Sequence, residues 1–259
     1  MRIALFSDVH GNLSALEAVL AGIATKAPDL TLFAGDLCLD GPRPADCLRL
    51  LRAEAIPAIY GNTDAWILGR DQSPEWLQPV VEWTAAQLTT SERDWLARLP
   101  FSLTVNPTAD PSTGLHVVHA NPQDVNRIIF PPEADQPRYT KERQPDADVA
   151  ALLQGLPAHA LAFGHLHIPS IRHIGDYTLL NISSVSMAGD GDPRAKYALA
   201  TWDGYQWTTE HVRVEYDITA EIAAFRASQP PVWEHTVAML ETEGMIAHRA
   251  KPPAADTGR

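Results

Sequence analysis

Short apolar runs stopped by glycine-bearing or polar turns alternate, early in the chain, with stretches whose apolar residues recur at helical spacing. "RIALFS" (Arg2 to Ser7) has the look of a buried strand, and "NLSALEAVLAGIATK" follows with Leu13, Leu16, Val19, Leu20 and Ile23 on one face. "DLTLFAG" predicts a second strand, "PADCLRLLRAE" a second helix opened by Pro44, and "IPAIYGN" a third strand. Strand and helix alternating through short connections predict βαβ units and a largely parallel sheet. Right-handed crossovers then bring the loops after successive strands to one edge of it.

From Asp64 to Pro100 the pattern changes to Trp-, Leu-, Glu- and Gln-rich sequence. Two helices, at Glu75–Leu88 and Ser91–Leu99, are expected there as a helical insert at about 64–100, with Ser91 and Asp94 forming a capping-box variant. "FSLTV" and "GLHVVHA" predict strands, and the aperiodic stretch after them a long loop of the kind more often functional than idle. "ADVAALLQG" predicts a helix and "HALAFG" a strand, followed by hairpins turning at Gly175-Asp176 and Asp203-Gly204. Two helices at about 217–244, the first capped by Asp217, close a single domain over 1–247, with a flexible tail at 248–259.

Net charge narrows the function classes. The 259 residues carry 32 acidic against 20 basic side chains, a formal charge of -12, which disfavours an extended nucleic-acid partner. Small phosphate substrates stay open if metal ions supply the positive charge. The two cysteines, Cys38 and Cys47, form no CxxC pattern, so a reducing cytoplasm is expected and a thiolate metal site is not. No apolar run approaches a membrane span, and the opening "MRIALFSDVHGN" is too soon charged for a signal peptide.

Polar residues collect where the apolar strands stop. Asp8 and His10 follow the first strand, Asp36 the second and Asn62 the third; His119 ends "LHVVH", and His165 and His167 follow "LAF". Gathered at one sheet edge, three carboxylate or amide groups and four imidazoles are too polar for a packed core, and cations are the evident compensation. Seven ligands exceed the four of a structural zinc and suit two divalent ions. Mixed oxygen and nitrogen donors fit Mn²⁺, Fe²⁺, Zn²⁺, Co²⁺ or Ni²⁺ better than Mg²⁺ or Ca²⁺ alone.

The five blocks "SDVHGN", "AGDLCLDGP", "YGNTD", "VVHANPQD" and "FGHLHIP" resemble the signature of the calcineurin-like metallophosphoesterase superfamily. "HGNLSALEAVL", "LARLP" and "DGDPRAKYAL" further resemble one bacterial subgroup of phosphodiesterases. The resemblance implies an α/β fold, a four-layer α/β/β/α sandwich of two mixed sheets. It implies that Asp8, His10 and His167 hold one ion and Asn62, His119 and His165 the other, with Asp36 bridging. Manganese is the first expectation for both, with Fe, Zn²⁺, Ni²⁺ or Co²⁺ as alternatives. The implied reaction is in-line attack on a small-molecule phosphoester, a phosphodiester foremost, by a hydroxide bridging the ions, with Asp36, Asn62 and His119 in the catalytic group. A phosphomonoesterase, a dinucleotide polyphosphate hydrolase and a non-catalytic metal-binding scaffold are the alternatives.

Three positions depart from that pattern or extend it. Where many members have histidine after Gly-Asn, Thr63 stands, followed by Asp64. Threonine is no acid near neutrality, so leaving-group protonation falls to water, to Asp64 or to nothing, and esters with good leaving groups are expected to react best. "NISSV" (Asn181 to Val185) replaces Asn-Pro-Gly-Ser-Val, which leaves the geometry of that turn open. Arg194 either steers a phosphate or pairs with Asp190 or Asp192.

Overall fold

A computed structural model describes residues 1–241; the last residues of the final expected helix and the expected tail lie outside the described residues. β1 (Arg2–Phe6) pairs in parallel with β2 (Leu30–Phe33) and antiparallel with β8 (Ala195–Trp202), which pairs with β9 (Trp207–Val214). The second sheet has the order β3-β4-β5-β7-β6, built from Ser102–Val105, Leu115–Val118, Ala160–Phe163, Tyr177–Asn181 and Ser170–Ile174. Within it β4, β5 and β7 run parallel, while β3 and β6 are antiparallel edges.

Strand alternation sorts side chains into the layers. Ile3 and Leu5 of β1 face a buried cluster with Leu115, Val117, Ala160, Ala162, Leu180, Ala198 and Ala200, so the two sheets pack face to face. The many alanines there let them approach closely. Ala4 and Phe6, on the opposite face of β1, join a cluster with α1 (Leu13–Lys26) and α2 (Pro44–Ala53), and Val80, Val81 and Leu96 extend it. Those last three lie on α4 (Gln78–Gln87) and α5 (Thr90–Ala97). Outside the second sheet, Leu161, Phe163 and Leu179 pack on Val149 and Leu152 of α6 (Asp146–Leu152). The result is the expected sandwich of two mixed sheets flanked by helices. No helix among the described residues is long and apolar enough to cross a membrane.

Several local expectations are corrected. The third strand shrinks to a single parallel bridge, Phe33 to Ala58, and Asn62 opens a six-residue helix, α3 (Asn62–Ile67). The pattern concealed α3 because its six residues, opening on polar Asn62, Thr63 and Asp64, are too few to show an amphipathic period. The capping box of α5 lies two residues earlier than Ser91: Thr89 Oγ1 accepts the Glu92 N–H, and Glu92 Oε2 accepts the Thr89 N–H at 2.7 Å. Glutamate reaches back across a turn better than the aspartate three residues after Ser91. The predicted helix from Glu75 begins as a 3₁₀ turn, Glu75–Leu77, before α4.

Ser183 occupies a left-handed conformation, φ 76°, in the turn where glycine was missed from the sequence pattern. Its N–H donates to Asn181 Oδ1 at 2.9 Å and its hydroxyl to the His167 carbonyl at 3.1 Å. The turn is held by side chains instead of by a permissive residue. In the long loop after β4, the Gln136 amide donates to the Gln144 carbonyl and accepts the Gln144 N–H, and the Gln144 amide bonds the Ile128 carbonyl and the Phe130 N–H. Buried Arg172 donates to Asp146 and to the Phe130 and Gln144 carbonyls. At the C-terminal end, α7 (Ile218–Ser228) packs on α1 and on α8 (Trp233–Glu241).

Candidate metal centre

The C-terminal ends of β1, β2, β4 and β5 meet at the seam between the sheets, and each ends in a ligand-bearing turn. Asp8, His10, Asp36, His165 and His167 all have φ between 48° and 65°. Left-handed backbone costs an L-residue about 1–2 kcal/mol, and five strained positions in one cluster mark a site where geometry outranks local comfort. Hydrogen bonds from other segments fix these turns: Ser186 N–H donates to the Asp8 carbonyl at 3.0 Å, and Asn181 Nδ2, from the neighbouring strand of the second sheet, to the Gly164 carbonyl at 3.0 Å. Glycine is required where backbones nearly touch. A Cβ on Gly61 would collide with the Asp36 carboxylate, and one on Gly164 with Asp8 and Ser7.

Two ligand clusters result. Asp8, His10 and His167 form one; Asp36, His119 and His165 form the other, each with ligand atoms within 4.8 Å of one another. Asn62 Oδ1 lies 2.9 Å from His119 Nε2. Asp36 stands between the clusters, with Oδ2 3.4 Å from His119 Nε2 and 3.8 Å from His10 Nε2, while its Oδ1 accepts the Thr63 N–H at 3.0 Å. Asp8 is fully buried and accepts the Ser7 hydroxyl at 2.5 Å and the His165 N–H at 3.0 Å.

The donor set fits divalent metal. His10, His119 and His167 each direct Nδ1 at a backbone carbonyl, of Leu39, Ala34 and Met187, at 3.2, 2.9 and 2.9 Å. His165 uses Nε2 for the Asn126 carbonyl at 2.9 Å. Each ring is thereby oriented with its other nitrogen turned inward, the usual outer-shell arrangement of metal histidines. His10 and His167 then face each other Nε2 to Nε2 at 3.2 Å. With both Nδ1 atoms turned to carbonyls, the two Nε2 atoms converge where a cation would be held.

Protonation follows the same logic. Burial alone would depress His119, but the Asp36 carboxylate beside it overrides that and holds the imidazole at about 9. Burial, reinforced by repulsion from His119, lowers His165 to about 4. Against the cost of burial, the facing imidazoles keep Asp8 and Asp36 below the usual carboxylate range. His119 therefore stabilises the metal-free fold fully below its ordinary 6.5, and that contribution is lost as pH rises toward 9. The melting temperature of chelator-treated protein should fall between pH 6.5 and 9. Mn²⁺ affinity should rise by up to about tenfold per pH unit over the same window, because the ligand must release a proton. Scanning calorimetry and metal titration at stepped pH read both; a chelated protein that melts higher at pH 9 than at 6.5 contradicts this account.

The remaining expected residues lie differently. Asp64 is fully buried, and its carboxylate accepts the N–H groups of Asp36, Leu37 and Gly61 at 2.9, 3.2 and 2.9 Å. Burial and the charge of Asp36 push it up to about 6, while those three bonds pull the other way. It ties the β2 and α3 turns together rather than presenting an acid to a substrate. The Thr63 hydroxyl is buried without a hydrogen-bond partner among the described residues. Arg194 is committed to Asp192, Nη2 to Oδ2 at 2.6 Å. Asp40, with Oδ2 3.6 Å from His10 Nδ1, and the carbonyls of Leu39, Ala34, Met187 and Asn126 went unmarked. A carbonyl has no sequence signal, and Asp40 stands before Gly41 and Pro42, among residues that serve turns as readily as sites.

Residues 1–204 match the calcineurin-like phosphoesterase superfamily domain. An uncharacterized protein of Methanocaldococcus jannaschii is 27% identical over 253 residues, covering 89% of this chain and 94% of that protein. The crystal structure of a metallophosphoesterase from Sphaerobacter thermophilus superposes with a TM-score of 0.72 at 27% identity, covering 94% of this chain and 100% of that one. A hypothetical protein from Pyrococcus horikoshii OT3 shares the fold at 18% identity, with a TM-score of 0.74 over 94% of this chain and 98% of its own. A domain match over most of the chain, joined to paired His and Asp clusters at the seam of two sheets, shows that the chain belongs to the calcineurin-like phosphoesterase superfamily and is an enzyme of the metallophosphoesterase kind.

Proposed function

We propose that the protein hydrolyses small phosphodiesters, using two divalent ions, Mn²⁺ foremost, held by Asp8, His10, Asp36, Asn62, His119, His165 and His167. The observation that carries this reading is the pair of adjoining ligand clusters with Asp36 between them. When bound there, such ions lower the pKa of water, neutralise phosphoryl oxygens and align nucleophile with phosphorus. The chain's own part is preorganisation. Backbone carbonyls fix four imidazoles, the Ser7 hydroxyl and His165 N–H hold Asp8, and the Thr63 N–H holds Asp36.

A diester carries less negative charge than a monoester, and two features suit that. Arg194 is occupied by Asp192, and the chain's net charge is -12. Proton donation to the leaving group has no ready side chain, since Asp64 is spent on backbone N–H groups and threonine is not an acid. The motif blocks that resemble the bacterial phosphodiesterase subgroup support the same proposal. The two buried free thiols support a reducing, cytoplasmic setting.

Bis(p-nitrophenyl) phosphate and p-nitrophenyl phosphate, offered to protein whose bound metal has been quantified, test the proposal. Turnover is expected to vanish on chelation, return with Mn²⁺ and favour the diester, and rates across aryl esters should fall steeply as leaving-group pKa rises. Protein carrying both ions yet inert toward either ester would refute it. A flat leaving-group dependence would instead reveal a proton donor absent from this account.

A further inference from the structure

A cavity of about 280 Å³ is walled by Tyr60, Phe101, Arg70, Ala65, Val125 and Asn126. It shares structure with the metal centre on two sides. Tyr60 stands two residues before Asn62 and Ala65 three after it. Across from them, Asn126 is the residue whose carbonyl receives the His165 Nε2–H at 2.9 Å. These walls are pinned in place: Asn126 Nδ2 donates to Asp71 Oδ2 at 2.7 Å, and Asp124 Oδ1 accepts the Asn126 and Arg127 N–H groups at 2.8 and 2.6 Å.

The charges at the cavity are unevenly used. Asp71 and Asp124 spend carboxylate oxygens on the bonds just given. Arg70 has no carboxylate partner among the described residues; its guanidinium donates to the Ala97 carbonyl and lies 5.5 Å from the Tyr60 ring centroid. Phe101 continues the aromatic wall, its ring 6.3 Å from Tyr60. A planar cation without a carboxylate partner among the described residues, beside two aromatic rings, favours a planar, electron-rich group that stacks. A second phosphate is disfavoured by the two carboxylates at the rim. The volume lies just below the roughly 300–1,000 Å³ usual for whole small-molecule sites, so one ring system fits rather than a whole dinucleotide.

Resting on the phosphoester reading above, we propose that this cavity is a specificity subsite that accepts a planar aromatic ring borne by one ester substituent, with Arg70 and Tyr60 as its stacking residues. Diesters bearing such a ring on a short spacer are then preferred over equally bulky saturated ones.

Non-hydrolysable phosphonates test this on the full metal-loaded chain by calorimetry. 3-Phenylpropylphosphonate is expected to bind about tenfold tighter than 3-cyclohexylpropylphosphonate or propylphosphonate, within the range of a single stacked ring. In Arg70→Ala, and in Arg70→Lys, which keeps the charge but not the plane, the phenyl preference measured within each variant should collapse. Equal affinity of wild type for the phenyl and cyclohexyl compounds overturns the subsite while leaving the metal centre intact. Failure of Mn²⁺-loaded protein to bind propylphosphonate at all sinks the underlying phosphoester reading instead.

Discussion

Asp36→Asn is expected to lose both metal ions and to reduce diester turnover by more than the roughly 100-fold that loss of an outer-shell partner can cost. Asp36 is 2% exposed, and its Oδ2 stands within 4 Å of an imidazole from each cluster. The amide keeps the size and retains an oxygen for the Thr63 N–H. It removes the charge and can turn an N–H₂ donor toward His10 and His119, where an acceptor is needed. The metal-free variant should still fold but lose the pH-dependent contribution of the Asp36–His119 pair, so its melting temperature should fall less than that of wild type between pH 6.5 and 9. Metal content by elemental mass spectrometry, circular dichroism and turnover together separate loss of metal from loss of fold. A folded variant with its full complement of metal and full activity would end the dinuclear account.

Lys196→Ala acts from outside the ligand shell and is expected to cost about 3 kcal/mol of stability, the lower end of the range for breaking a buried ion pair. That corresponds to a melting temperature lower by roughly 6–12 °C. The ammonium is fully buried and uses all three donors, on Asp190 Oδ1 at 3.0 Å and the carbonyls of Asp192 and Arg194 at 2.7 and 3.0 Å. Arg213 still reaches Asp190 at 3.1 Å, which keeps the cost from being larger. The loop so pinned carries the Met187 carbonyl that orients His167 and the Gly189 N–H that binds the His167 carbonyl at 2.8 Å. Metal should therefore be lost first from the cluster of Asp8, His10 and His167. Equal loss from both clusters, or none, would show that the loop does not govern His167.

The legibility of this protein varied with the range of the interactions involved. β1, α1, β2 and α2 were readable because each carries its own period and stop signal, such as Asn12 Oδ1 accepting the Ala15 N–H at the start of α1. The hairpin turns at Gly175 and Gly204, with φ of 55° and 109°, were readable because glycine alone adopts such backbone freely. α3 was not, since Gly61 to Asp64 obeys the needs of Asp36 and His119 rather than its own periodicity.

Sequence by itself determined which side chains could serve as ligands, because an aspartate or histidine placed where an apolar strand stops has few stable uses other than solvent or a cation. The family resemblance already implied how they group around two ions. Tertiary structure alone decided the nitrogen each imidazole turns inward, the employment of Asp64 on backbone N–H groups, and which of its two expected uses Arg194 takes. Those choices depend on carbonyls, N–H groups and charges brought together from distant parts of the chain, such as Ala34 against His119 and Asp8 against His165, and a linear pattern holds no record of such distances.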